Sequence, residues 1–253
     1  MKVLLHGCNG KMGRVMTRIL AEPHGTEVVA GIDIEPVKAT NSYPVYACLP
    51  DVKESADLLI DFSHHTCLEG LLAFGIDRKV PLVICTTGFS PEEKQAMAGA
   101  ARIVPILNSA NMSLGVNLVL SLVKQAAALL HDGFDIEVVE RHHNQKVDSP
   151  SGTALMIADA MNSALGNTME YVFGRHSKDQ RRQKTEIGLH AIRGGAIVGE
   201  HSVIFAGQGE VIEINHSALS RDVFAYGAIR AAKFLTGRPP GLYSMKDVIE
   251  GGG

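Results

Sequence analysis

Residues 2–16, Lys2-Val3-Leu4-Leu5-His6-Gly7-Cys8-Asn9-Gly10-Lys11-Met12-Gly13-Arg14-Val15-Met16, decide the fold. An apolar run of strand length (2–6) enters a turn with three glycines and passes straight into a helical pattern over 11–21. Met12, Val15, Met16, Ile19 and Leu20 recur there at i, i+3 and i+4, one face of a helix. Strand, glycine turn and helix in that order open a βαβ dinucleotide site. Gly7 permits the tight turn, Gly10 lets the backbone approach a pyrophosphate, and Gly13 lets helix and strand pack closely. Backbone N–H groups at the helix start favour phosphate, which makes Asn9, Lys11 and Met12 candidate contacts beside the glycines. Asp33, twenty residues after Gly13, ends a second strand (27–32), where an acidic side chain can accept bonds from the adenine ribose hydroxyls. The spacing is G-x-x-G-x-x-G, not the commoner G-x-G-x-x-G, and by itself it also describes an ordinary βα turn.

Further along, apolar runs at 57–62, 81–85 and 103–107 read as strands, and 67–77 and 91–100 as helices. Strand–helix alternation needs crossovers and gives a parallel sheet covered on both faces. The pattern changes near Asn111. Ser113 reads as the N-cap of a long apolar helix over 114–130. Strands follow at 136–141, 187–193, 201–206 and 211–216, with a helix at 153–165. The last three strands come with little helix between them, which predicts an antiparallel or mixed open sheet. A helix over 223–235 closes the chain before a Gly-rich tail (251–253) expected to fray. The fold class is therefore α/β: a Rossmann-like parallel sheet domain plus an inserted α+β substrate domain with an open mixed sheet. The expected boundaries are 1–111 with 221–253 for the dinucleotide-binding domain, and 112–220 for the substrate-binding and oligomerisation domain.

Composition excludes several classes. The chain is 45% hydrophobic and 20% charged with a net charge of −3, so no global field favours nucleic acid. Cys8, Cys48, Cys67 and Cys85 lie in or beside apolar segments without CxxC spacing. They read as reduced, mostly buried thiols, not metal ligands, and reduced thiols fit the cytoplasm. The N-terminal apolar run is too short for a signal peptide, and no stretch has the length of a membrane helix. No metal, nucleic-acid or membrane partner is expected.

The densest chemistry is Glu140-Arg141-His142-His143-Asn144-Gln145-Lys146-Val147-Asp148-Ser149-Pro150-Ser151-Gly152-Thr153-Ala154, between a predicted strand and a predicted helix. Two histidines and a lysine within one loop offer proton donors and a cation. Ser151, Gly152 and Thr153 at a helix start offer hydroxyls and N–H groups to a carboxylate. That combination suits gripping an acidic substrate and protonating a developing anion. The same residues also describe a polar strand end and a common helix cap.

Here the chain resembles a known family. HHNQKVDSPSGTA is similar to the signature of the 4-hydroxy-tetrahydrodipicolinate reductase family, also called dihydrodipicolinate reductases, of lysine and diaminopimelate biosynthesis. GCNGKMGR resembles the family's nucleotide loop, Asp61-Phe62-Ser63 its DF-S/T strand end, and Cys85-Thr86-Thr87-Gly88-Phe89 its GTTGF segment. The stretch from Ser109 to Val116, the stretch from Ile197 to His201, Ser220-Arg221 and Phe224-Ala225 continue the resemblance in order along nearly the whole chain. The resemblance implies reduction of a cyclic C=N dicarboxylate to tetrahydrodipicolinate by NADH or NADPH, usually in a homotetramer built through the open sheets. It implies catalytic roles for His142 and Lys146, and substrate contacts at His143, Ser151, Gly152 and Thr153. It implies cofactor contacts at Gly7, Asn9, Gly10, Lys11, Met12, Gly13, Asp33, Phe62, Thr86, Thr87, Gly88, Ser109, Ala110, Asn111 and Met112.

Three residues depart from the family pattern. Cys85 replaces a common glycine, Met112 a common phenylalanine, and Ile34 the arginine of members that accept NADPH well. With Asp33 repelling a 2′-phosphate, NADH is expected to bind at least as well as NADPH, with Lys11 and Lys38 as available compensation. Competing functions are a related imine or amino-acid dehydrogenase, of aspartate dehydrogenase type, and a catalytically silent dinucleotide sensor. The HHNQKVDSPSGTA segment argues against the first, and the complete His142–Lys146 set against the second. The basic run 175–184 reads as an exposed, partly mobile loop or as a steering loop for a dianion. His6, His190, His201 and His216 read as structural, and His64-His65 as flanking the cofactor.

Overall fold

The computed structural model describes residues 1–22 and 25–251, so the outermost two residues of the expected frayed tail, 252 and 253, lie outside the described residues. In chain order the first segment holds β1 (Lys2–His6), α1 (Lys11–Leu20), β2 (Glu27–Ile32), β3 (Val45–Tyr46), β4 (Leu58–Asp61), α2 (Leu68–Arg78), β5 (Leu82–Ile84), α3 (Pro91–Ala100) and β6 (Pro105–Asn108). The middle holds α4 (Leu114–Leu130), β7 (Asp135–His142), α5 (Gly152–Ala164), β8 (Glu170–Phe173), β9 (Glu186–Arg193), β10 (Gly199–Ala206) and β11 (Val211–Ala218). The end holds α6 (Asp222–Leu235), β12 (Gly241–Tyr243) and α7 (Met245–Glu250). The chain forms two compact units, Met1–Leu114 with Arg221–Gly253, and Gly115–Ser220.

The first unit is a seven-stranded parallel sheet in the order β12-β6-β5-β4-β1-β2-β3. Its central strands are apolar through their middles: Val3, Leu5, Leu58, Ile60 and Val83 pack into one core, Leu4, Ile32, Leu59, Leu82 and Ile84 into the other. Both faces are therefore covered, as a parallel sheet requires. α6 returns from the middle segment to lie over the first core, where Ala225, Ala228, Ala231 and Ala232 are fully buried.

The second unit is a five-stranded mixed sheet, β11-β10-β7-β9-β8. β10 runs antiparallel to β7 and β11, while β7–β9 and β8–β9 are parallel. One sheet face, bearing Ile136, Val138, Ile187, Leu189, Val203 and Phe205, forms a core with Val119 and Val123 of α4 and Ile157 and Met161 of α5.

β1, β2, α3 and α4 have the predicted bounds. Two differences matter. β7 runs one residue further than predicted, because it stays paired with β9 up to His142↔Arg193. His142 is thus a strand residue, 8% exposed, and not part of the loop. Among the cysteines, all free, only Cys8 is buried, and Cys48 is exposed. Among the described residues no helix is long and apolar enough to cross a membrane, and no group of three His, Cys, Asp or Glu side chains is placed to hold a metal ion.

Candidate active site

In the first unit the site is built at the carboxyl ends of β1, β2, β4 and β5, where an open α/β sheet binds ligands. Gly7 has φ +76°, and a Cβ there would lie 2.7 Å from the Phe62 carbonyl oxygen, so only glycine fits between the two strand ends. A Cβ on Gly13 would collide with the Gly7 carbonyl and the Cys8 backbone, which is the close helix–strand approach predicted. Gly10 caps α1 without a side-chain bond, leaving the first-turn N–H groups without a competing cap.

Asn9 is a rivet of this turn. It is 1% exposed; its backbone N–H donates to Asp33 Oδ2 at 2.9 Å and its Nδ2 to the Glu35 carbonyl at 2.7 Å. Asp33 also accepts the Glu35 N–H at 3.0 Å, so its carboxylate is aimed by two backbone donors. Two clefts follow. One of about 260 Å³ runs past Gly7, Gly10, Asp33 and Lys38, and one of about 550 Å³ past Lys11, Met12, Thr86 and Thr87. Phe62, Ser63 and His64 line both. Below them sits Asp61, 1% exposed, accepting from Thr86 Oγ1 at 2.7 Å and Ser63 Oγ at 2.5 Å, with His6 Nδ1 at 3.0 Å. Asp61 and His6 thus fix the wall that carries Thr86.

This donor set fits a dinucleotide: glycines at which a Cβ would fill the turn, an uncapped helix start, and an oriented carboxylate at the end of β2. The segment 109–112 runs from exposed to buried, with Ala110 exposed and Asn111 and Met112 buried. Met112, expected beside the nicotinamide, is 3% exposed and belongs to the core with Ala225 and Ala228. Its carbonyl occupies the space a side chain at Gly227 would need, so α6 draws it inward. Asn111 is buried too, and its Oδ1 accepts the Ser113 N–H at 2.9 Å.

In the second unit the signature segment gathers around Glu140. Alternation along β7 buries Ile136, Val138, Glu140 and His142 together. Glu140, 1% exposed, faces His142 Nδ1 at 2.6 Å and accepts from Arg193 Nη1 and Nη2 at 2.8 Å each and from the Ser151 N–H at 2.9 Å. Burial pushes its carboxyl up, but the bonds from Arg193, His142 and Ser151 outweigh this and hold it below the usual carboxylate range. Ser151 caps α5: its Oγ accepts the Ala154 N–H at 3.2 Å and meets His201 Nε2 at 3.0 Å. Ser151 is buried and both its polar groups are engaged, whereas Gly152 is exposed and Thr153 and His143 are half-buried. Lys146 Nζ donates to Asp148 Oδ1 at 2.8 Å, and the carboxyl of Asp148 is lowered first by that bond.

His201, read from sequence as structural, packs edge-on against His142 with ring centroids 5.2 Å apart. Burial, with the nearby His142 charge, pushes it down to about 4. Arg193 and His201 were missed because they come from β9 and β10, fifty residues or more from His142. Glu140 carried a signal: a carboxylate on the buried parity of an apolar strand, two residues from a histidine. The basic loop is exposed along nearly all its length, as read from sequence, and is anchored through ion pairs. Arg175 pairs with Glu137 and Glu186, and Arg182 with Asp135 and Glu137. The loop also lines a cavity of about 1010 Å³ that contains none of the predicted site residues.

Known proteins share this chain's pattern over its whole length. The family model described as dihydrodipicolinate reductase, N-terminus, matches residues 1–112, and the one described as dihydrodipicolinate reductase, C-terminus, matches 115–249. The 4-hydroxy-tetrahydrodipicolinate reductase of Caldanaerobacter subterraneus subsp. tengcongensis is 55% identical over 251 residues, 99% of each chain. That of Clostridium tetani is 47% identical over 96% of this chain and 95% of its own. A dipicolinate-bound dihydrodipicolinate reductase from Paenisporosarcina sp. TG-14 superposes with a TM-score of 0.81 at 21% identity, covering 96% of this chain and 97% of that one. A Lactobacillus casei myo-inositol dehydrogenase shares the fold more distantly, with a TM-score of 0.59 at 17% identity over 98% of this chain and 90% of that one. Two family models that together span both units, and a relative more than half identical from end to end, agree that the chain belongs to the dihydrodipicolinate reductase family.

Proposed function

We propose that the chain reduces 4-hydroxy-tetrahydrodipicolinate, by way of dihydrodipicolinate, to tetrahydrodipicolinate, as a cytoplasmic enzyme of lysine and diaminopimelate biosynthesis. The observation that carries this reading is the 55% identity to a reductase of that name over 99% of both chains. The geometry supports it in each unit separately.

The first unit holds the dinucleotide. Gly7, Gly10 and Gly13, with the N–H groups of Lys11 and Met12, receive the pyrophosphate, and Asp33 the adenine ribose. Phe62, Thr86, Thr87 and Gly88 lie toward the nicotinamide, with the 109–112 segment as backbone support. The reduced nicotinamide, when bound, supplies the hydride. NADH is the preferred form. Asp33 and Glu35 put negative charge where a 2′-phosphate would lie, and Lys38 is already paired with Glu35.

The second unit holds the dicarboxylate. The start of α5 at Gly152 and Thr153 takes one carboxylate, with Ser151 shaping that turn as its cap; His143 adds a contact. Lys146 pairs with the substrate's charge and protonates the atom at which negative charge develops, the role a lysine close to a carboxylate partner can fill. His142 is the second proton-handling group. The sheet face opposite α4 and α5, carrying Glu137, Arg141, His190 and Ile192, is the surface on which four copies assemble.

The test is a coupled assay in which the 4-hydroxy precursor is generated in place and loss of nicotinamide absorbance is followed with NADH and with NADPH. Turnover with both, faster at low NADH, is expected. Turnover of aspartate or another amino acid instead, or cofactor binding without turnover, would replace this reading.

A further inference from the structure

A single buried carboxylate ties together every part of the second unit's site. Glu140 Oε1 accepts from Arg193 Nη2 and the Ser151 N–H; Oε2 accepts from Arg193 Nη1 and faces His142 Nδ1. A carboxylate has about four acceptor positions, so these partners saturate it. Arginine remains protonated and a backbone amide always donates. Glu140 is therefore an anion with no proton to give, and the hydrogen on the His142–Glu140 contact belongs to Nδ1. The other ring nitrogen, Nε2, is left for chemistry. It lies beside Gly199, where a Cβ would stand 3.0 Å away. Arg193 reaches further: Nη2 also donates to the Asp148 carbonyl at 2.6 Å, which anchors the loop that carries Lys146.

We infer that Glu140 and Arg193 are a positioning pair: they hold His142 as the Nδ1–H tautomer and lock the Lys146 loop to the start of α5. The inference rests on reading His142 and Lys146 as the proton-handling residues. Around His142 the charged and titratable groups are few. Glu140 lies on its own strand, Arg193 comes from β9, His201 from β10 and Lys146 from the following loop, with His216 of β11 behind His201. Lys146 is compensated by Asp148.

Two substitutions separate the two halves of the pair. Glu140→Ala removes the acceptor that holds the Nδ1 proton and should move His142 toward the Nε2–H tautomer. Arg193→Met leaves Glu140 to hold Nδ1–H but releases the Asp148 carbonyl, so kcat should fall while the tautomer stays as in the wild type. Long-range proton–nitrogen NMR of the imidazoles reads the tautomer in the substrate-free protein, with His142→Gln identifying the resonance. Nε2–H as the resting tautomer of the wild type, or a tautomer unchanged in Glu140→Ala, would overturn the inference. Should both variants fail to fold, the wild-type tautomer alone decides. These spectra need no substrate, so absence of turnover on the dicarboxylate would remove the functional reading while leaving the pair standing.

Discussion

Replacing Gly10 by alanine separates a cofactor role of the glycine turn from a packing role. Gly10 is exposed and extended, φ −72° and ψ 176°, a conformation alanine adopts freely. A Cβ there meets only the Gly7 carbonyl oxygen, at 3.2 Å, which a small adjustment relieves. The expected stability cost is below about 1 kcal/mol, or a melting shift under about 4 °C for a chain of this size. The methyl group nevertheless stands at the helix start where the pyrophosphate must touch backbone. NADH affinity should fall about tenfold or more, equivalent to about 1.4 kcal/mol. Gly13→Ala should behave differently. It is buried, and its Cβ would lie 2.5 Å from the Cys8 carbonyl carbon, a backbone atom that cannot swing aside. Overpacking of that kind costs about 1–3 kcal/mol and lowers the melting temperature by roughly 2–12 °C. Fluorescence titration with NADH and thermal melts of both variants provide the test. If Gly10→Ala binds NADH as tightly as wild type at unchanged stability, the loop is an ordinary βα turn and the reasoning fails.

Lys146→Met keeps the length of the side chain and removes its charge; kcat should fall by roughly 10²-fold or more if Lys146 transfers the proton, as steady-state kinetics would show. Asp33→Ala should weaken NADH by about ten- to a hundred-fold, the loss of hydrogen bonds to a charged group, while NADPH loses less, so the ratio of the two Kd values shifts toward NADPH. His201 supplies a pH signature. Its folded value of about 4 lies below the ordinary value near 6.5, so the unfolded chain binds the extra proton. Stability from this group is present above pH 6.5 and is lost as pH falls toward 4, by about 3 kcal/mol as an order of magnitude. Urea midpoints across that window should flatten in His201→Gln, and an unchanged slope would show that His201 is not buried as a neutral ring.

The sequence made the first unit legible because its signals are local. A strand, a glycine turn and the periodic helix 11–20 sit within twenty residues, and Ser90 with Glu93 writes a capping box that sets the start of α3. β3, β8 and β12 escaped because, unlike the equally short β4 and β5, they sit in no continuous apolar run, and each exists only through pairing with a longer neighbour. The site was legible as a segment and not as a network. His142, Lys146 and Ser151 stand within ten residues of one another, but the groups that hold them arrive from other strands. Arg193 reaches Glu140 through the β7–β9 register, and His201 reaches Ser151 through the β7–β10 register. Ser151 shows the opposite limit. Its position at a helix start was clear, but whether the hydroxyl faces a ligand or caps the helix depended on Ala154 and His201.

Hydride transfer from a nicotinamide to a cyclic dicarboxylate is the reaction on which every other role assigned to this chain depends. The most direct measurement supplies NADH deuterated at C4 on the transferable face, with the 4-hydroxy precursor generated in place, and weighs the product by mass spectrometry. Tetrahydrodipicolinate heavier by one deuterium, formed in step with NADH consumed, is the predicted result. Product without deuterium, or deuterated cofactor left unconsumed in the presence of the precursor, would contradict it.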